Sequence, residues 1–330
     1  MTQTGRLHLG SVKWYQDPTA GGSIPTCCLH SYTLSVLTAL NAQEGEVDPV
    51  WVAGASGMAF RIWAHQDLCP SATSVFDWSL LPRGVENAGW SVDYHSRLWH
   101  EESVAEERRK AAHEAIVKAL NAGRVPVCWD IGVPEWGVIT GYDDEAQEYA
   151  AIAVWGGPAP LKYEQLGRRE LPIMSVTIIE GRNSIDRREA VLNSLKTAVK
   201  HAGQGEWLER PAYQDGLPAY ETWANALERL AEGGEQNMLN YYAATYLAAR
   251  HYAKRYLRLA AEVLGGAKQL SGAADFYAEV EQRLTEVYQI LRQDGQRSAD
   301  ELKQSAKLLR AAKASEQKAI EQIKGYLASL

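Results

Sequence analysis

Apolar positions early in the chain recur at helical spacing: Leu34, Val36, Leu37 and Leu40 form a stripe that fades by Asn41. The pattern predicts an amphipathic helix beginning near Cys28, preceded by the chain-bending segment Thr19-Ala20-Gly21-Gly22-Ser23-Ile24-Pro25. A second helix is predicted from Val104 to Ala122, with charge on one side, Ala112, Ile116, Val117 and Leu120 on the other, and Gly123 as its stop. Val125 to Trp129, Gly137 to Gly141, Tyr149 to Trp155 and Met174 to Ile179 read as strands, and the turn Tyr142-Asp143-Asp144-Glu145 joins two of them as a hairpin. From Ser184 onward the period becomes helical throughout. Asp186 to His201, Ala219 to Ala231, Gln236 to Leu264, Ala273 to Gln293 and Ser298 to Leu327 are the predicted helices, punctuated by glycines. Ser298 and Glu301 have capping-box spacing and should open the last of them.

This change of pattern divides the chain. All the cysteines and all the tryptophans except Trp207 and Trp223 precede it. We expect an α+β domain with an antiparallel sheet over residues 1–182, then a helical bundle over 183–330 ending in a long helical hairpin. Gly54-Ala55-Ser56-Gly57-Met58-Ala59-Phe60 is expected to be a small-residue turn allowing close backbone approach. Tyr241, Tyr242, Tyr246, Tyr252 and Tyr256 are expected to pack the bundle core and rim, their hydroxyls reaching water.

Composition narrows the function classes. The 330 residues are 46% hydrophobic, ample for a large core, and the net charge of -7 argues against a nucleic-acid or anionic-membrane surface. Met1 to Leu9 lacks the apolar core of a signal peptide, and no apolar run approaches the ~18 residues that span a bilayer. The expectation is a soluble cytoplasmic protein. Cys27, Cys28, Cys69 and Cys128 lack paired CxxC spacing, so neither a zinc site nor a disulfide scaffold is expected.

Pro25-Thr26-Cys27-Cys28-Leu29-His30-Ser31-Tyr32 is the most chemically suggestive stretch. A thiol at a helix start gains thiolate character from unpaired N–H groups and the helix dipole. The competing reading is that a free cysteine is a small buried hydrophobe. The other stretch is Asp130-Ile131-Gly132-Val133-Pro134-Glu135-Trp136-Gly137, continuing through Ile139-Thr140-Gly141-Tyr142-Asp143-Asp144. Asp130 and Glu135 could pair to bind an amine, with Trp129 and Trp136 stacking on a cationic group; the plainer reading is that Asp130 caps a turn and the tryptophans fill the core.

Together the two stretches resemble the papain-like cysteine peptidase superfamily in its C39-like form, and particularly the N-terminal domain family of butirosin biosynthesis protein H. The likeness rests on Cys28 followed by Val36-Leu37, on Gly54 to Phe60, and on the strand ending Ile139-Thr140-Gly141-Tyr142-Asp143-Asp144. It covers most of residues 20–180, and Gly216-Leu217-Pro218-Ala219-Tyr220-Glu221-Thr222-Trp223 resembles a motif of the family's helical half. The resemblance implies a papain-like fold and acyl transfer through a thioester, to water or to an amine, with Cys28 as nucleophile and Cys27 as its alternative. No phosphate loop, dinucleotide fingerprint or metal motif is present in the sequence, so no cofactor and no metal are expected. The acyl donor would be a small or peptide-like molecule, free or carried on a carrier protein.

The chain departs from the family where the base should stand. The family histidine lies six residues before the glycine of the Gly-Tyr-Asp turn, and here that position is Glu135. No Asp or Asn stands in Val154-Trp155-Gly156-Gly157, the third partner's place. Three readings stay open. Glu135 is the base, its carboxyl raised by a dry pocket of Trp129 and Trp136; a histidine from His30, His65, His95 or His100 completes the site; or the domain keeps only binding. Asp130, Trp129, Trp136 and Tyr142 are the expected substrate contacts. The helical half is expected to close over the cleft, set specificity and make a homodimer.

Overall fold

The computed structural model describes residues 5–17, 24–206 and 211–330. Its elements run β1 (Arg6–His8), α1 (Ser31–Glu44), α2 (Pro49–Ala55), β2 (Trp63–His65), α3 (Leu80–Asn87), β3 (Trp90–Arg97), α4 (Ala105–Asn121), β4 (Val127–Trp129), β5 (Trp136–Asp143), β6 (Glu148–Ile152), β7 (Leu161–Lys162) and β8 (Met174–Arg182). Then follow α5 (Arg187–Gln204), β9 (Tyr213–Asp215), α6 (Leu217–Glu232), α7 (Leu239–Val263), α8 (Lys268–Leu291) and α9 (Ala299–Ala328). The loop Thr19–Ser23 and Trp207 lie outside the described residues.

Two compact units form, and each is discontinuous. One comprises residues 1–16, 31–48 and 81–184; the other comprises 17–30, 49–80 and 185–330. The change of pattern near residue 184 is therefore only the last of several crossings between units. Segments 17–30 and 49–80 join the helical unit because α7 gathers them: Tyr252 donates its hydroxyl to Asp17, Tyr246 to the Trp63 carbonyl, and Tyr242 to the Cys69 carbonyl at 2.7 Å.

The α+β unit is built on an antiparallel sheet ordered β3-β8-β4-β5-β6-β7, with β1 also paired to β5. Strand side chains alternate faces. Cys128, Ile139, Val176 and Ile178 pack with Ala112, Ile116 and Leu120 of α4, so Cys128 is a core residue. On the opposite face, Trp136 meets the Tyr32 ring edge-on at 5.8 Å, and Thr177 meets the Tyr32 hydroxyl at 3.2 Å, which seats α1 there. α1 is buried on every side from Ser31 to Leu40 rather than amphipathic, and among its buried hydroxyls Thr38 donates to the Leu34 carbonyl at 2.8 Å and accepts from the Tyr15 N–H at 2.9 Å, whereas those of Thr33 and Ser35 have no hydrogen-bond partner among the described residues. The expected strand Tyr149 to Trp155 stops at Ile152, because Ala153 and Gly156 turn back through an N–H to carbonyl bond of 2.8 Å.

In the helical unit α5 to α9 follow the periodic segments closely. Asp186 caps α5 through the N–H groups of Arg188 and Glu189, and the Ser298–Glu301 capping box opens α9. Gly54 lies inside α2 rather than in a turn, but the close approach expected there exists: a Cβ on Gly54 would stand 2.0 Å from the Tyr256 ring. The tyrosine hydroxyls do not reach for water as expected. Those of Tyr242, Tyr246, Tyr252 and Tyr256 are bonded to protein partners, since burial leaves a phenol no other way to satisfy itself. Among the described residues, no helix is long and apolar enough to cross a membrane.

Candidate functional site

α1 begins close after Cys28, but Cys28 does not head it. Thr26–Cys28 form a separate 3-10 turn, Leu29 is extended at φ -55° and ψ 150°, and the helix starts at Ser31. The side chain at the head of the helix is therefore a hydroxyl. Ser31 Oγ donates to Glu135 Oε2 and accepts the Trp136 N–H at 3.3 Å. A carboxylate here is favoured by the helix dipole and the first-turn N–H groups.

Glu135 is held by the β4–β5 connection. Its carbonyl accepts the Asp130 N–H at 2.9 Å and the Ile131 N–H at 3.3 Å, closing a loop in which Asp130 (φ 63°) and Gly132 (φ 79°) adopt the left-handed conformation. Arg169 clamps this loop from outside, donating to the Asp130 carbonyl at 2.9 Å and the Gly132 carbonyl at 3.3 Å. It also stands 3.6 Å from the Asp130 carboxylate. Burial nevertheless raises the Asp130 pKa above its ordinary value, the Arg169 charge opposing it only in part. Trp129 and Trp136 are buried against each other, ring centres 4.3 Å apart, as core residues. Gly132 leaves room for the Trp155 ring: a Cβ there would meet it at 2.4 Å. Trp155, in the segment where the resemblance calls for a polar partner, is 57% exposed.

The other expected site residues are dispersed. Cys27, Cys28 and His30 belong to the helical unit, Glu135 to the α+β unit. Burial, with the neighbouring Cys27 thiol adding to it, pushes the Cys28 thiol up to about 12, the reverse of activation. His30 is buried beside the stacked rings of Trp63 and Phe76 and donates Nε2–H to the Thr73 carbonyl at 2.7 Å. Burial lowers its pKa to about 4, so it is neutral and spends that proton on a structural bond. His95 lies on β3 with Nε2 3.2 Å from Asp93. Tyr142 is at the far end of β5 from Glu135, seven residues or ~23 Å along a strand. Its hydroxyl donates to Asn121 at 3.1 Å, and it lines an open groove of ≈ 500 Å³ beside His8, Thr140 and Glu148. Within the α+β unit, then, Asp130, Trp129, Glu135 and Trp136 are gathered, and Tyr142 and His95 are not. Among the described residues, no cluster of three or more His, Cys, Asp or Glu side chains is placed to hold a metal ion.

Sequence reasoning missed Ser31 and Arg169. The signal for Ser31 was positional: serine is favoured where helices begin, and the Leu34–Leu40 stripe runs back to it. For Arg169, in a loop, there was none. No protein-family model matches the chain, and no curated protein matches it in sequence.

Proposed function

We propose that this chain is an acyl-transfer enzyme on a papain-like scaffold, with Ser31 in the nucleophile's place and Glu135 as its base. The hydrogen bond from the Ser31 hydroxyl to the Glu135 carboxylate, at the head of a helix packed on an antiparallel sheet, carries the reading. Cys28, the nucleophile expected from the resemblance, is less suited, because its thiol is held protonated. In the step proposed, Ser31 Oγ bonds to the acyl carbon while its proton passes to Glu135. First-turn N–H groups of α1 stabilise the oxyanion, and the proton then leaves with the departing group. Water or an amine releases the acyl group from the resulting ester. The acyl donor is small or peptide-like, free or on a carrier protein, and no cofactor enters the scheme.

A fluorophosphonate probe tests this. Stoichiometric labelling mapped to Ser31 and lost in Glu135→Gln supports it; absence of labelling and of activated-ester turnover in the native chain overturns it. One observation favours a second reading, a binding protein that has lost catalysis: Ser31 is only 6% exposed. That reading expects inert Ser31 together with saturable binding of an amine or peptide ligand that Glu135→Gln abolishes.

A further inference from the structure

Cys27 and Cys28 take no part in the proposed reaction, yet they are built as a pair. The 3-10 turn is closed by the Cys28 N–H on the Pro25 carbonyl at 2.8 Å and the Leu29 N–H on the Thr26 carbonyl at 3.2 Å. It turns both sulfurs to one side, 3.8 Å apart. Cys27 is exposed and Cys28 half-buried, so one edge of the pair is open. The other cysteines differ: Cys128 is buried, and Cys69 stands alone with its sulfur accepting the Ser71 hydroxyl at 3.0 Å.

The separation defines what the pair can hold. Two sulfurs bonded at about 2.3 Å to one tetrahedral or pyramidal centre stand about 3.5–3.8 Å apart. The described residues add no third ligand of the His, Cys, Asp or Glu type. A centre that needs three or four protein donors is therefore poorly served, whereas one with two replaceable bonds is matched. We propose that Cys27 and Cys28 form a dithiol site for a monosubstituted trivalent arsenical, a soft thiophilic centre carrying one carbon substituent. The arsenic–oxygen bonds of the arsenoxide break as two arsenic–sulfur bonds form. Both thiol protons leave with the oxygen as one water, and arsenic remains trivalent, so no oxidant or reductant is required. Because the reaction consumes thiols rather than demanding free thiolate, a protonated pair is competent for it.

Phenylarsine oxide is the probe, read by intact-mass spectrometry of the full chain after removal of reductant. The expected result is one phenylarsine adduct per chain, less one water, resistant to excess monothiol and stripped by a small dithiol. It should be lost in Cys27→Ser and in Cys28→Ser, and kept in Cys69→Ser and Ser31→Ala. An adduct that survives in either Cys27→Ser or Cys28→Ser, or that a monothiol removes, overturns the proposal. Retention in Ser31→Ala separates it from the acyl-transfer reading, which can fail independently.

Discussion

Ser31 and Glu135, separated by 104 residues in sequence, share a hydrogen bond at the head of α1. Glu135→Gln keeps the shape of the side chain and removes its basicity. General-base assistance is worth ~10²–10⁴-fold, so ester turnover or probe labelling in Glu135→Gln should fall by that order, with little change in thermal midpoint. A rate unchanged in this variant would remove Glu135 from the chemistry.

Cys28 should alkylate slowly. With its pKa at about 12, only about one thiol in 10⁵ is ionised at pH 7, well below free cysteine. Iodoacetamide labelling of Cys28 in the native chain, resolved from Cys27 by fragment mass, should climb about tenfold per pH unit between pH 7 and 10. Rapid labelling at pH 7 would instead restore Cys28 as the nucleophile.

His30 makes the fold acid-sensitive in a defined window. Its folded pKa, lowered by burial to about 4 from 6.5, means that the unfolded chain takes up the proton first. The stabilisation is complete above pH 6.5 and is lost as pH falls from 6.5 towards 4, reaching about 3 kcal/mol in all. Urea unfolding across this range should show that slope, and His30→Gln, which retains a donor for the Thr73 carbonyl, should flatten it.

Glu316 anchors the helical unit. It receives the buried Arg250 guanidinium at 2.7 Å and the hydroxyls of Tyr220 at 2.5 Å and Tyr277 at 3.2 Å. Removing one member of a buried pair strands the other charge, so Glu316→Gln and Arg250→Met should each cost about 3–5 kcal/mol. The double variant should lose clearly less than the sum of the two. Chemical denaturation of the single and double variants measures the coupling, and additivity would argue against a coupled pair.

Gly54 is fixed by contact with Tyr256, whose hydroxyl lies 2.7 Å from Ser194 Oγ. Gly54→Ala should destabilise by about 1–3 kcal/mol despite the better helix propensity of alanine. A second change, Tyr256→Leu, should recover part of the loss in thermal unfolding. A neutral Gly54→Ala would contradict the contact.

The sequence by itself determined what is local. Caps, glycines and the 3.6-residue period located α4 to α9, because the hydrogen bonds of a helix join residues four apart and its buried stripe repeats at the same scale. Short apolar runs bounded by turn residues likewise located β4, β5, β6 and β8. The departure at Glu135 was also legible, since it needs only the spacing to Gly141. Tertiary structure decided the rest. Nothing local says that the chain crosses between compact units before residue 184; that follows from Tyr242, Tyr246, Tyr252 and Tyr256 collecting distant segments on α7. Nor could the thiol pair's chemistry be read from its position near a helix, because the extended backbone at Leu29, with ψ 150° far from the helical value, sets Cys28 in a separate turn and leaves Ser31 to head α1. The residue facing Glu135 is set by the packing of α1 on the sheet, a contact between segments far apart in the chain that leaves no periodic trace in either.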